Sequence, residues 1–164
     1  MSTSLTRRRR LPFSILSFVV VLLIVVGNVG FYLLDQRVGR LRQESRFYAD
    51  QTGLRMAEHW DADTLLAQAT PELRAQLKEN DLRALTRQIL DFGRLWKFLG
   101  AKGRLNNGYA AALGSEASAS YVAKASYAPG VVTFDLGLVK RDGRWWIDRF
   151  HVDLLSIQEV GGNG

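Results

Sequence analysis

An uncharged run of 24 residues, LPFSILSFVVVLLIVVGNVGFYLL from Leu11 to Leu34, limits this chain more than any other feature of its sequence. As a helix rising 1.5 Å per residue it is ~36 Å long, more than the roughly 30 Å of a bilayer's hydrocarbon core. The run therefore predicts one membrane-spanning helix. A cleaved signal peptide is the competing reading, because it also joins a basic start to an apolar middle. Its apolar region, however, usually covers about 7 to 15 residues and ends at a small-residue cleavage site. The best match here, Asn28-Val29-Gly30, is poor, so the segment is expected to stay attached. Gly27, Asn28 and Gly30 would let a second helix approach closely, although glycines are ordinary in membrane helices.

Charge sets the expected direction of insertion. Four arginines, Arg7 to Arg10, directly precede the span, and no acid occurs before Asp35. After the span, Arg37, Arg40, Arg42 and Arg46 are partly offset by Asp35 and Glu44. The positive-inside rule counts cations, so density and N-terminal position decide for a cytoplasmic N-terminus and an extracytoplasmic C-terminal part. Setting aside the four leading arginines leaves 18 of the 22 Lys and Arg against all 16 Asp and Glu, a balance of +2. A nearly neutral region without a basic stripe argues against nucleic acid as a partner. The chain has no cysteine, which excludes disulfides, a lipid-modified cysteine and thiolate zinc sites. A domain of about 130 residues can bury enough apolar surface without such staples.

Beyond the span, helical signals come first. Gln36 to Trp60 continues as a helix or restarts near Glu44, with Val38, Leu41, Tyr48, Leu54, Met56 and Trp60 as a weak stripe. Asp61 and Asp63 are N-cap types, and Thr70-Pro71-Glu72 places proline at a first helical position behind a cap. A third helix is expected from Asn80 or Asp81 to Gly100, with Leu82, Leu85, Ile89, Phe92, Trp96 and Leu99 recurring three or four apart. The period then changes to two. Residues 102 to 112 read as a strand bent at Asn106-Asn107-Gly108, although Asn107-Gly108 also suits a tight hairpin of its own. Ala119 to Tyr127 reads as a half-buried strand, Pro129-Gly130 as a type II turn, and Val132 to Leu138 as another strand. Asp142-Gly143 is a hairpin signal, and a last strand is expected from Arg144 to about Leu155. The fold class is α+β: a transmembrane helix, then three helices packed on one face of a curved four-stranded antiparallel sheet. The expected divisions are a basic cytoplasmic segment 1–10, the span 11–34, a connector 35–44, a domain 45–158 and a frayed tail 159–164.

Ala119-Ser120-Tyr121-Val122-Ala123-Lys124-Ala125, then Leu136 to Ile147 with Asp142-Gly143-Arg144-Trp145-Trp146-Ile147, and Phe150-His151-Val152 resemble bacterial membrane-anchored or exported proteins with an NTF2-like domain. The likeness covers roughly residues 45 to 155. It implies helices wrapped by a strongly bent sheet around a cone-shaped cavity, in the inner membrane with the domain in the periplasm. That superfamily includes isomerases, dehydratases, transport adaptors and secretion-system scaffolds, so fold likeness does not choose a function.

No catalytic or cofactor motif stands out. His59 and His151 are the only histidines and lie in no metal-ligand spacing, and the serines and glycines form neither a nucleophile elbow nor a phosphate loop. Asp148 depends on hairpin register. With a two-residue loop at Asp142-Gly143, Leu138 faces Ile147 and Lys140 faces Trp145, so Trp145 and Ile147 point inward and Asp148 outward. A three-residue loop would bury Asp148 among Trp146, Phe134 and Phe150, where desolvation raises a carboxyl pKa as a cavity acid needs. The two-residue loop is favoured, with a bulge near Asp148-Arg149 that returns Phe150 inward. Tyr48, Trp96, Tyr109 and Trp145, with Asp148 and His151, are the candidate cavity or site residues; aromatic residues at such spacings also serve as plain core. The function expected from these features is a membrane-tethered interaction or assembly module with a protein partner or a second copy. A small-ligand-binding cone and an isomerase- or hydratase-like enzyme are the alternatives. No metal and no cofactor is expected.

Overall fold

The computed structural model describes residues 13 to 156. The expected basic segment 1–10, the first two residues of the apolar run and the expected tail 159–164 lie outside the described residues.

The chain opens with α1, Phe13–Glu58, which is 46 residues long and unbroken. It is long and apolar enough near its start to cross a membrane. From Phe18 to Leu33 every residue is exposed to the surroundings, whereas Val38, Ser45, Ala49, Thr52, Gly53, Met56 and Ala57 are buried against the rest of the chain. One helix thus carries an uncovered apolar half and a half that packs on the domain. Asn28 uses its side-chain amide within the apolar half, donating from Nδ2 to the Ile24 carbonyl at 2.7 Å. No separate helix starts near Glu44; residues 35–44 belong to α1.

Two capped helices follow. In α2, Ala62–Gln68, the Asp61 carboxylate accepts from the backbone N–H groups of Asp63 and Thr64. In α3, Pro71–Gln76, Thr70 Oγ1 accepts from the Leu73 N–H, with proline in the first turn as anticipated. Each cap satisfies donors that a helix start leaves unpaired. The amphipathic α4, Glu79–Asp91, buries Leu82 and Ile89.

Four strands then form an antiparallel meander in the order β1-β2-β3-β4: β1 Leu95–Leu105, β2 Ala117–Tyr127, β3 Gly130–Arg141 and β4 Arg144–Ser156. A short helix, α5, Gly108–Ala112, connects β1 to β2. On the inner face, Ala117, Ala119, Tyr121, Ala123, Ala125 and Tyr127 of β2 are buried, as are Val132, Phe134, Leu136 and Leu138 of β3 and Trp145 and Ile147 of β4. The alternation read from the sequence holds through β2 and through β3 as far as Leu136, after which Gly137, Leu138 and Val139 are all buried.

Helix α1 lies across this face, and the run of alanines in β2 lets it come close. A Cβ placed on Gly53 would sit 2.7 Å from Ala123 Cβ, nearer than two side-chain carbons tolerate. Three hydrogen bonds fix the contact along its length. Ser45 Oγ meets Tyr121 OH at 2.9 Å, Asp50 Oδ1 accepts the Ala101 N–H at 2.7 Å, and Tyr127 OH donates to the Ala57 carbonyl at 2.6 Å. Ala57 lies in the last turn of α1, where carbonyls lack helical partners. Tyr127 fills that role, and burial pushes its phenol up to about 12.

The sheet departs from the sequence reading in four places. The helix expected to reach Gly100 ends at Asp91, because Gly93 adopts φ +78° and turns the chain. Strand β1 then carries two register shifts, one between Leu95 and Lys97 and one between Phe98 and Gly100. These bulges extrude Trp96 and Leu99 and space the inward residues Leu95, Phe98 and Ala101 by three, which imitates a helical stripe. The strand expected over 102–112 stops at Leu105, and Asn107-Gly108 begins α5. Gly130 is not among the positive-φ residues, so the β2–β3 turn is not type II. The helix count also differs: five helices occur among the described residues, not an anchor and three.

Candidate interaction surfaces

The six residues singled out from sequence do not converge. Tyr48, on α1, is half-buried and donates from its hydroxyl to Gln68 Oε1 at 3.1 Å, and burial raises its pKa. Trp145 is buried at the start of β4, with Lys140 Nζ 5.8 Å from its ring centroid. Lys140 in turn pairs with Glu44 of α1. Trp145 Nε1 is buried without a hydrogen-bond partner among the described residues. Trp96 stands exposed on the first bulge of β1, and Tyr109 is exposed on α5. Asp148 and His151 are exposed on β4, where His151 Nε2 lies 3.1 Å from Asp153 Oδ1.

The hairpin around Asp142-Gly143 has the favoured register. Lys140 pairs with Trp145 and Leu138 with Ile147, and the ladder shifts so that Gly137 opposes Arg149. Asp142 (φ 52°) and Gly143 (φ 76°) form the two-residue loop with both backbones left-handed, as a type I′ turn requires. The shift is the bulge that leaves Asp148 outside and brings Phe150 back to stack on Trp60 at 5.6 Å. A Cβ on Gly137 would lie 2.5 Å from Asp148 Oδ1, so the bulge rests on a residue without a side chain.

On the inner face of the sheet, the space is occupied by Tyr121, Tyr127, Phe134, Leu136, Trp145 and Ile147 packed on α1 and on Leu65, Leu73, Leu82 and Ile89. Several concavities open on the surface of the domain. One of about 430 Å3 is lined by Leu66, Ala67, Arg74, Leu77, Glu79 and Leu82. Among the described residues no cluster of three His, Asp or Glu side chains is placed to hold a metal ion. At the hairpin end, Arg141 donates to Glu116 Oε1 at 2.6 Å and to both Glu72 oxygens at 2.9 and 3.0 Å. These bonds raise the Arg141 pKa; the Glu72 carboxyl is held low by a hydrogen bond from its own backbone and then by Arg141.

Positions along α1 give each surface a height. Val38 touches the α5 region, and Ala57 is bonded to Tyr127, which pairs across with Leu95. The 19 residue steps from Val38 to Ala57 span ~28 Å of helix. Trp96 therefore stands at the end of the domain remote from the apolar half of α1, and α5 stands at the near end.

Near Trp96 the outer face of β1 and β2 collects cations. Leu99, Gly100, Lys102, Val122 and Lys124 line a recess of about 210 Å3 there. Lys97 and Arg104 are exposed on the same strand, and no acid occurs from Phe92 to Ser115. Asp135, opposite Val122 on β3, and Asp50, which accepts the Ala101 N–H from α1, are acids beside this group. The linear sequence concealed the cluster, because Lys124 is remote in the chain and becomes a neighbour of Gly100 only through strand pairing.

Comparison with known protein families, with characterised proteins and with solved structures yields no match.

Proposed function

We propose that this chain is a membrane-tethered interaction module, spanning the bilayer through the apolar half of α1 and engaging a protein partner at the remote end of its domain. In this reading the domain is an NTF2-like roll whose interior is filled with side chains, so that its working surface lies outside the cone. Arg7 to Arg10 support the direction, with the N-terminus in the cytoplasm and the domain outside it; the NTF2-like resemblance supports a bacterial inner membrane and a periplasmic domain. What carries the proposal is Trp96, a tryptophan 70% exposed on a strand bulge and flanked by Lys97 and Leu99. Tryptophans are enriched at protein contact sites, where they act as anchors that fill a pocket on the partner. The free edge of β1 is blocked at Ala101 by Asp50 of α1, so a partner meets side chains of the outer face and not an open ladder. Charge complementarity with Lys97, Lys102 and Lys124 points to an acidic surface on that partner. A tether concentrates weak contacts of this kind, because both proteins share the membrane plane.

The test is photocrosslinking in intact membranes from a benzophenone side chain at position 96, with exposed Arg149 as the control position. The proposal expects a discrete protein adduct from position 96 that Lys97→Glu with Lys102→Glu abolishes. Equal adducts from both positions, or none from 96, would refute it. An adduct of the chain with itself would make the partner a second copy. A reporter fused after Gly164 and active only in the cytoplasm would reverse the proposed direction.

A further inference from the structure

We infer that α5 is a second membrane contact: it lies in the headgroup layer of the bilayer that α1 crosses, with Tyr109 and Leu113 inserted and Arg37 and Arg40 facing lipid phosphates. This rests on the proposal that α1 spans the membrane.

Height is the first argument. The apolar run ends at Leu34, and Val38, four residues on, is already buried at 4% exposure. Four residues of helix are ~6 Å. The headgroup layer on each side of the hydrocarbon is roughly 5 to 8 Å thick. Whatever packs on Val38 therefore stands within that layer, and α5 does so. A Cβ on Gly108 would lie 2.9 Å from Val38 Cγ1, and Arg37 Nη1 donates to the Ala112 carbonyl at 3.4 Å.

Chemistry is the second. Leu113, which ends α5, is 73% exposed, and Tyr109 is 53% exposed. In water these side chains would be an unexplained apolar surface on a five-residue helix. At the headgroup level a tyrosine is at home, with its ring among the upper methylenes and its hydroxyl in water. Leucine gains by leaving water altogether. The charges agree: Arg37, Arg40, Leu41, Glu44, Ala111 and Ala112 line a recess of about 240 Å3 beside α5. Of the acids near it, Glu44 is paired with Lys140, and Glu116 and Glu72 with Arg141, leaving Asp35 and Asp142 against Arg37, Arg40 and Arg144. The balance favours an anionic lipid surface. Two contacts, the span and α5, would fix the azimuth and tilt of the domain as well as its height.

The absence of cysteine makes the test clean, since single cysteines can be placed and labelled with an environment-sensitive fluorophore in the full chain. Labels go on Leu113→Cys, Trp96→Cys and Ile24→Cys, each exposed, with the protein reconstituted in vesicles of phosphatidylcholine and phosphatidylglycerol. Quenching by lipids carrying nitroxide at shallow or deep acyl positions reads the depth. The inference expects the label at 113 to be quenched severalfold more by shallow than by deep nitroxide, the label at 24 to show the reverse, and the label at 96 to remain water-like. A quenched label at 24 with a water-like label at 113 overturns the α5 contact and leaves the span intact. A water-like label at 24 overturns the span itself. Loss of the shallow quenching of a label on Tyr109→Cys when Leu113→Asp is added, with Ile24 unaffected, would confirm that insertion is driven by the apolar side chain.

Discussion

Replacing Gly53 with alanine sets a local preference against packing. In the interior of a helix alanine is favoured over glycine by about 1 kcal/mol. Against it, the new methyl would lie 2.7 Å from Ala123 Cβ and 3.2 Å from Phe98 Cζ, where carbon atoms prefer roughly 3.5 to 4.0 Å. Helix α1 would have to withdraw by most of an ångström. That motion stretches the Ser45–Tyr121, Asp50–Ala101 and Tyr127–Ala57 hydrogen bonds, which are anchored on both sides of Gly53. Overpacking in a filled core costs about 1 to 3 kcal/mol, so Gly53→Ala is expected to destabilise by about 1 kcal/mol net, and by up to about 2 if the helix cannot yield. Ala123→Gly alone should cost about 1.5 kcal/mol, from one buried methyl and the backbone freedom of glycine in a strand. In the double variant the methyl at 53 occupies the space vacated at 123. The two changes should then be non-additive by at least about 1 kcal/mol in the stabilising direction. Urea unfolding of the full chain in detergent reads this through the four tryptophans, all of which lie in the domain. Midpoints should shift without a change in slope. A raised midpoint for Gly53→Ala, or strict additivity in the pair, would refute the close contact between α1 and β2.

Ile147→Ala should lose about 2 to 5 kcal/mol, since the side chain is fully buried opposite Leu138; Asp148→Asn, one residue on and exposed, should stay within about 0.5 kcal/mol in the same assay. Tyr127 has a folded pKa raised to about 12, above the unfolded value near 10. Its contribution is therefore complete below about pH 10 and is lost as pH rises through about 12, a slope in unfolding free energy that Tyr127→Phe should remove. Gly137→Ala would put a methyl against the Asp148 carboxylate and the Arg149 side chain. It should destabilise by about 1 to 3 kcal/mol and speed amide exchange at 148–152, and unchanged exchange there would refute the role of the bulge.

The order of elements and the C-terminal hairpin were legible because their signals are local. Asp142-Gly143 names its turn, and buried Trp145 and Ile147 choose the register. Thr70-Pro71 and Asp61 mark helix starts by the donors they satisfy. Strand β1 was not legible, since its two bulges turn a period of two into a period of three and place Trp96 and Leu99 in phase with the stripe of α4. Gly93 was the available sign that the helix stops. The candidate site fared differently. Tyr48, Trp96, Tyr109 and Trp145 read alike as inward aromatics, yet Trp96 and Tyr109 are exposed; the cationic recess needs Lys124 beside Gly100, and α5 needs Gly108 against Val38. Both neighbourhoods come from tertiary placement, which a linear pattern of hydrophobicity does not encode.

The continuity of α1 through residues 35–44 has a mechanical consequence. A shaft without a joint transmits rotation, so the angular position of the domain about the membrane normal is coupled to that of the intramembrane half. Each residue of an α-helix advances the chain by about 100° and 1.5 Å. One residue inserted between Asp35 and Arg37 would swing Trp96 by about a quarter turn while lifting it very little, and seven inserted residues would nearly restore its heading about 10 Å higher. Phase and height thus become separately adjustable, and a partner fixed in the same membrane would distinguish the two.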